Sequence, residues 1–263
     1  PWPGGGWQRR IRLVRSIERD HLAGLERDSL AQCAGAVATS AFTARRLGNY
    51  GVPASRVRAV LPGTDPARTA VGPGAGEPPR ILCVGSVSKR KGQDVLVGAL
   101  GGIRSLPWSC LCAGSLRQAP EFADSVMELA RELGLEDRIE FPGELGAAEL
   151  DTHYHSASLF VLATHFESYG MALAEALARG LPVLSTRGGA VPDTVPAEVG
   201  VLVPAGDEGA LTAALRSMLS GPEAAARRAE LAEASLRHGR SLPTWDDAVL
   251  AFERAVGELL PDE

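Results

Sequence analysis

Lysine is almost absent from this chain of 263 residues, in which only Lys89 and Lys91 stand among 27 basic residues that are otherwise arginine. Aromatic residues make up only 5%, and no apolar run approaches the roughly 20 residues that a membrane-spanning helix needs. The formal net charge of −5 gives no support to a broad nucleic-acid-binding surface. The composition is otherwise typical of a globular protein, and we expect no nucleic-acid partner.

Cysteine is also scarce, and its four copies lack the paired spacing of a metal site. Cys83, Cys110 and Cys112 lie in apolar runs typical of strands, where a thiol behaves as a small hydrophobic group. Free thiols of this kind favour a reducing compartment, so the sequence predicts a cytoplasmic protein.

The first thirty residues carry apolar side chains at helical spacing with arginines between them, which predicts a long amphipathic helix. Two interpretations of those arginines stay open: a solvated helix face, or contact with anionic lipid at the inner face of the membrane. Short strands are predicted next, at Ala36–Thr39 and Val57–Leu61. Because two strands do not make an independently stable sheet, we expect residues 1–69 to be the remnant of a larger domain. Ala36–Thr39, an exposed strand without neighbours, is expected to promote self-association.

After a linker rich in glycine and proline at residues 70–79, strands and helices alternate. Strands are predicted at Ile81–Val84, Ser109–Ala113, Ile139–Phe141, Leu159–Ala163, Val183–Ser185 and Val199–Val203. Helices are predicted at Gln93–Ile103, Glu121–Leu135, Ala147–Ala157, Tyr169–Ala178, Gly209–Ser220, Pro222–His238 and Pro243–Leu260. Apolar strands that alternate with helices predict an α/β fold with a doubly wound, parallel, Rossmann-like sheet over residues 80–242.

The turn after the first of these strands gathers positive charge. Ligands of open parallel sheets bind at the carboxyl ends of the strands, and the sequence there, Gly85–Gly92, is GSVSKRKG. Its three cations precede a helix, where they can neutralise an anion that also meets backbone N–H groups; the alternative is a chance cluster on a solvated loop. Neither G-x-G-x-x-G nor a Walker loop follows any strand, so nothing favours a dehydrogenase or a P-loop enzyme.

The turn after the fourth strand has the sequence HFESYGM, from His165 to Met171, and is followed by Glu175. The N–H groups of residues 168–171 are predicted to point at a phosphate, aided by the helix dipole. On a continuous helix Glu167 and Glu175 are about 12 Å apart, too far to share a proton but suited to the two ends of an elongated ligand. The apolar surroundings of Glu175 predict a buried acid that needs a hydrogen-bonding partner. The alternative is that Glu167 only caps the helix and that Glu175 only faces solvent.

Together these motifs resemble the donor-binding half of the GT-B glycosyltransferases of glycosyltransferase family 4. The matching stretches are VRAVLPGTD, VGSVSKRKGQDVLV, FPGEL, YHSASLFVLATHFESYGMALAEALARGLPVLSTRGGAVPDTV and GVLVPAGD, in the order of the family. The most specific element is E-x7-E, from Glu167 to Glu175. The resemblance covers roughly residues 30–260 and implies a retaining transfer of a sugar from a nucleotide diphosphate sugar to an acceptor that the sequence does not identify.

The resemblance also implies a role for each matching residue. Lys91, with Arg90, would hold the donor diphosphate, and Glu175 would bind the ribose hydroxyls. Glu167 would be the catalytic residue beside the transferred sugar. The other implied donor-binding residues are Gly85, Ser86, Gly143, Glu144, Leu145, His165, Ser168, Tyr169, Gly170 and Met171. Residues 143–145 would lie near the base, and the backbone of residues 168–171 would contact sugar and phosphate. No metal and no cofactor are implied, and no D-x-D motif follows a strand.

The chain departs from the family pattern in three places. Ser86 stands where many members have arginine, so Arg90 is expected to substitute, and Ala163 and Thr164 replace a proline and a serine, a change expected to matter little. Most of the acceptor domain is expected to lie outside this chain, and the last helix, residues 243–263, is expected to cross back toward it. Two alternatives therefore stay open: a fragment that binds a nucleotide sugar but transfers nothing, and a nucleotide-sugar epimerase, which needs no acceptor.

Overall fold

A computed structural model describes residues 24–260 of the chain. The chain divides into two units, one made of the residues up to Val60 together with those from Val249 onward, and the other of Leu61–Ala248. The amphipathic helix predicted over the first thirty residues lies mostly outside the described part, within which residues 24–32 are helical (α1). The predicted domain roles stay predictions.

The smaller unit contains a short parallel pair of strands. It comprises α1, β1 (Ala36–Ala38), α2 (Ala41–Leu47), β2 (Val57–Ala59) and two single turns of 3-10 helix, Gly48–Tyr50 and Ala54–Arg56. The Ser40 side chain caps α2 by accepting a hydrogen bond from the N–H of Thr43. β1 pairs in parallel with β2. The prediction of a strand without neighbours is therefore wrong, because the two predicted strands pair with each other.

The larger unit alternates strands with helices, as predicted. Its strands are β3 (Arg80–Val84), β4 (Ser109–Ala113), β5 (Ile139–Gly143), β6 (Leu159–Leu162), β7 (Val183–Thr186) and β8 (Gly200–Val203). The helices are α3 (Gln93–Gly101), α4 (Pro120–Glu132), α5 (Ala147–Ser156), α6 (Met171–Ala178), α7 (Val191–Thr194), α8 (Glu208–Leu219) and α9 (Ala224–Gly239). A final helix, α10 (Trp245–Leu259), contains the boundary between the two units. The sequence analysis missed only α7 among the helices of this unit, a single turn that starts with Pro192 as its second residue.

The strand order places two loops side by side. The sheet has the order β5-β4-β3-β6-β7-β8, and every neighbouring pair is parallel. The chain moves outward from β3 to β5 and then returns to start β6 beside β3, so the doubly wound parallel sheet is confirmed. The loops that follow β3 and β6 diverge at this switch point, which is where such sheets bind their ligands.

The core is the sheet itself, covered by helices. All residues of β6 and β7 are buried, as expected for central strands of a parallel sheet. Helix α3 packs against α4 and α8, and α6 packs against α9. The segment 70–79, predicted as a linker, is held to this unit, because the N–H of Ala70 donates to the carbonyl of Arg179 and that of Val71 to the carbonyl of His155.

Candidate functional site

Three charged side chains meet where β3 and β6 diverge. Nζ of Lys91, in the loop after β3, lies 2.8 Å from Oε1 of Glu167, in the loop after β6. Nη1 of Arg90 lies 3.3 Å from Oε2 of the same carboxylate. Glu167 is only 5% exposed and the Lys91 side chain 12%, so their ion pair is largely shielded from water. We call Arg90, Lys91 and Glu167 the switch-point cluster.

A glycine and a buried glutamine shape the loop that delivers Lys91. A Cβ atom on Gly85 would lie 3.2 Å from Cε of Lys91, so the missing side chain leaves room for the lysine to cross toward Glu167. Gln93 is buried, and its amide donates to the carbonyl of Ser86 and accepts from the N–H of Ser88. The loop therefore has a fixed conformation before any ligand binds.

The backbone around Glu167 is fixed from both sides. Its N–H donates to the carbonyl of Gly188, and its carbonyl accepts from the N–H of Ala190. A Cβ atom on Gly189, whose φ is 67°, would lie 2.3 Å from the carbonyl oxygen of Glu167. The glycines after β7 thus allow close approach of one protein segment to another.

Thr164 contributes more than the sequence analysis expected. Its hydroxyl is buried and lies 3.0 Å from Oε1 of Glu167, within hydrogen-bonding distance. The same hydroxyl lies 3.0 Å from the carbonyl of Arg90, and the N–H of His165 donates to that carbonyl at 2.7 Å. Thr164 therefore joins the two loops that carry the switch-point cluster, and the expectation that its replacement of a serine matters little stays a prediction.

Helix α6 begins shortly after Glu167. Gly170 is its N-cap, with a left-handed φ of 102°, and the helix starts at Met171 rather than at Tyr169. Glu167 therefore lies in the loop, and the 12 Å estimate for a continuous helix does not apply. The first N–H groups of a helix have no acceptor within it, so those of Met171 and Ala172 can serve an anion.

Glu175 lies on the first turns of α6 and is half-buried, where the sequence predicted a buried acid. The expected hydrogen-bonding partner is present: the hydroxyl of Tyr154, on α5, donates to Oε2 of Glu175 at 3.0 Å. Tyr154 is the first residue of one of the stretches that match the family, but the sequence analysis gave it no role. Beyond that, the only signal was an aromatic residue near the end of a predicted helix.

The remaining predicted residues lie around this centre. Gly143 is the last residue of β5, and Glu144 and Leu145 follow it. β5 is two strands away from β3, which corresponds to about 10 Å at the usual spacing of strands. The carboxylate of Glu144 is exposed and lies 3.9 Å from Nη2 of Arg117. The structure therefore does not bring residues 143–145 into the switch-point cluster, but it does put them at the same edge of the sheet.

His165, Ser168 and Tyr169 surround Glu167 in sequence and differ in exposure. The side chains of His165 and Ser168 are exposed, whereas Tyr169 is 4% exposed. Burial raises the pKa of the Tyr169 hydroxyl, and the hydroxyl of Thr64 opposes this shift. The contact of the Tyr169 backbone with sugar and phosphate stays a prediction.

The charges of the site favour an anion. Two cations and one carboxylate leave the switch-point cluster with a net charge of about +1, and the N-terminus of α6 adds about half a positive charge. Within residues 24–260, no group of three or more histidine, cysteine, aspartate or glutamate side chains is arranged to hold a metal ion.

A cavity at the other edge of the sheet is a competing location for a ligand. It measures about 350 Å³ and is lined by residues that precede β3, β6 and β7, including Pro79, Ser158 and Pro182. Charged side chains there are Glu77 and Arg228. This cavity lies at the amino ends of the strands, where the sheet topology does not favour ligand binding.

The buried thiols have no part in the site. Cys83 and Cys112 lie opposite each other on β3 and β4, and Sγ of Cys110 lies 3.9 Å from Sγ of Cys112. The hydrogen bond with Cys112 and burial raise the pKa of the Cys83 thiol well above its usual range. Such thiols stay protonated and pack as small apolar groups.

In the described part of the chain, no helix has both the length and the apolar character to cross a membrane.

The comparisons with known proteins agree on one family. The family model described as glycosyl transferases group 1 matches residues 70–235. A GDP-mannose-dependent alpha-(1-6)-phosphatidylinositol monomannoside mannosyltransferase of Mycolicibacterium smegmatis is 28% identical over 206 residues, which are 71% of this chain and 53% of that protein. A D-inositol 3-phosphate glycosyltransferase of Salinispora tropica is 30% identical over 238 residues, 81% of this chain and 48% of that protein. The chain thus spans about half the length of these curated relatives.

Solved structures of similar shape cover most of the chain. Sucrose-phosphate synthase of Thermosynechococcus elongatus has a TM-score of 0.80 and 26% identity, covering 91% of this chain and 62% of that one. The Anabaena protein HepE in complex with UDP-glucose has a TM-score of 0.77 and 18% identity, covering 90% and 66%. The second likeness concerns the fold alone. Both confirm the predicted GT-B type of α/β fold.

Proposed function

The chain belongs to the glycosyl transferases group 1, and from this premise we propose that its larger unit binds a nucleotide diphosphate sugar at the switch point between β3 and β6. The observation that carries the proposal is the switch-point cluster, in which a lysine and an arginine from one loop meet a buried glutamate from another. Arg90, Lys91 and the first amides of α6 contact the diphosphate. Glu175 binds the ribose hydroxyls, and residues 143–145 lie toward the base.

We further propose that the sugar passes to an acceptor with retention of its anomeric configuration and without a metal ion. Negative charge grows on the diphosphate as it leaves, and the two cations together with the helix N-terminus stabilise that charge. Glu167, whose carboxylate is held beside the cations, lies next to the transferred sugar. Its negative charge stabilises the positive charge that develops on the sugar as the diphosphate leaves. The epimerase alternative has no observation in its favour.

The four free thiols support a cytoplasmic location for the chain. D-inositol 3-phosphate is the first acceptor to test. One of the similar proteins is named a D-inositol 3-phosphate glycosyltransferase. Contact with the inner face of a membrane stays part of the proposal, as the other relative is named for a phosphatidylinositol mannoside.

A thermal-shift panel of ADP, CDP, GDP, UDP and dTDP with the chain as it stands tests the proposal. Because stabilisation follows affinity, the correct nucleotide at 100 times its Kd stabilises the protein by about 2.7 kcal/mol. Release of that nucleotide from its sugar conjugate, with D-inositol 3-phosphate as acceptor and with EDTA present, then separates transfer from binding. If no nucleotide of the panel stabilises the protein, the proposal is contradicted. If a nucleotide binds but no sugar is transferred, the result favours the alternative of a fragment that binds a nucleotide sugar without transferring it.

Glu175→Ala is expected to weaken binding of the nucleoside diphosphate by about tenfold. The change removes a charged hydrogen-bond acceptor, and a bond to a charged group contributes roughly 1.5–3 kcal/mol. Calorimetric titration measures the effect, with Glu149→Ala as a matched control, because Glu149 is an exposed glutamate in the first turn of α5. Equal affinities of wild type and Glu175→Ala would remove Glu175 from the ribose site.

A further inference from the structure

Tyr154 reaches the carboxylate of Glu175 from inside the protein. The Tyr154 side chain is 1% exposed, and its hydroxyl lies 3.0 Å from Oε2 of Glu175. Among the described residues, no donor is recorded for the other carboxylate oxygen, Oε1. Oε2 of the carboxylate is thus held by Tyr154, and Oε1 is available to accept a hydrogen bond from a ligand.

The ring that carries this hydroxyl cannot move freely. It stacks on Phe160 of β6, with ring centroids 6.0 Å apart and planes at 9°. The guanidinium of Arg179 lies over the Tyr154 ring, 4.4 Å from its centroid. Nη2 of Arg179 is itself held 3.0 Å from Oδ1 of Asp151. The hydroxyl therefore has a fixed position relative to β6 and α6.

The hydroxyl also has a fixed role in its hydrogen bond. Burial, and then the negative charge of Glu175, raise the pKa of the Tyr154 hydroxyl well above its usual range. The phenol stays protonated at neutral pH and donates to the carboxylate. The guanidinium of Arg179 does not replace it, since Nη1 of Arg179 donates to the backbone carbonyl of Glu175, 3.2 Å away, rather than to the carboxylate.

We infer that Tyr154 is a positioning residue for nucleotide recognition: its hydroxyl holds one oxygen of Glu175 so that the other faces the ribose hydroxyls of the donor. The inference rests on the proposed function and deepens it. It assigns selectivity for ribose over deoxyribose nucleotides to a side chain that does not touch the nucleotide. Preorganised groups of this kind improve binding because less is lost when the ligand fixes them.

Tyr154→Phe tests the inference, because it removes one oxygen and keeps the ring between Phe160 and Arg179. The Kd values of ADP, CDP, GDP and UDP are measured by calorimetry, each beside its 2′,3′-dideoxy counterpart. In the wild type, the ribonucleotide that binds is expected to do so more tightly than its dideoxy form. In Tyr154→Phe the ratio of the two affinities is expected to fall by about tenfold, the effect of one hydrogen bond to a charged group. Thr152→Val is the matched control, since that exposed hydroxyl on the same helix bonds only to the carbonyl of Ala148.

The ratio separates positioning from a general loss of stability. A variant that is merely less well folded loses affinity for both forms of the nucleotide, and its ratio equals that of the wild type. An unchanged ratio in Tyr154→Phe would overturn the inference and leave the proposed function intact. A wild type that binds both forms equally would overturn the inference together with the ribose role proposed for Glu175, but not the binding of a nucleoside diphosphate at the switch point. A wild type that binds none of these four ribonucleotides would overturn the inference, and one that binds no nucleoside diphosphate at all would overturn the proposed function as well.

Discussion

Replacing Lys91 with methionine is expected to weaken binding of the nucleoside diphosphate by about 100-fold, or about 2.7 kcal/mol. The variant loses a charge-assisted hydrogen bond to phosphate, which contributes roughly 1.5–3 kcal/mol. It also leaves the Glu167 carboxylate, now without the ammonium 2.8 Å away, to repel the phosphates. Arg90, whose side chain is 51% exposed, compensates only in part. Calorimetric titration measures the Kd.

The chain offers a matched control in its only other lysine. Lys89→Met removes the same charge from the same loop, but the Lys89 side chain is 73% exposed and pairs with Asp94. We expect its affinity for the diphosphate to stay within twofold of wild type, since exposed ion pairs contribute about 0–1 kcal/mol. Equal losses in the two variants would show that overall charge, rather than the switch-point cluster, attracts the ligand. An equal loss of free nucleoside binding in Lys91→Met would indicate damage to the fold.

Glu167→Ala is expected to lower the free energy of unfolding by about 3 kcal/mol in the absence of ligand. The change leaves the Lys91 ammonium largely buried without its carboxylate, and removing one partner of a buried ion pair costs about 3–5 kcal/mol. We expect a loss at the lower end of this energy range because 12% of the Lys91 side chain is exposed to water. Urea denaturation measures the loss.

The double variant Lys91→Met/Glu167→Gln, compared with the single variants Lys91→Met and Glu167→Gln, isolates the interaction. With neither charge present, no ion is left buried and unpaired, so the double variant is expected to lose less stability than the two single variants added together. Because Arg90 also contacts Glu167, the glutamine amide keeps a hydrogen-bond acceptor for it. Strict additivity would mean that Lys91 and Glu167 do not interact in solution, and the ion pair would lose its place in the site.

The alternation of strands and helices could be predicted, and with it the edge of the sheet where a ligand is expected, because both depend on local patterns. Apolar runs such as Leu159–Leu162 indicate buried strands, and their alternation with helices fixes a parallel sheet. Parallel strands then bring their following loops to one edge, so residues 85–91 and 165–171 were expected near one ligand. Element ends moved by a few residues where glycine or proline set the boundary, as at Gly170.

Contacts between distant side chains could not be predicted in the same way. Nothing in the sequence indicates that Lys91 reaches Glu167, because that depends on the path of the lysine across Gly85 and on the pairing of β3 with β6. The contacts of Thr164 and Tyr154 could not be predicted for a similar reason. Each contributes a single hydroxyl, and its partner is set by packing rather than by spacing along the chain.

The most direct test is to find where a nucleoside diphosphate binds. Backbone amide resonances of the labelled protein are followed by NMR while the nucleotide that stabilises it most is added. The largest changes are expected at residues 85–91 and 168–171, on both sides of the switch point. Changes confined to the cavity at the amino ends of the strands, around residues 70–74 and 228–232, would contradict a diphosphate site at Arg90, Lys91 and Glu167.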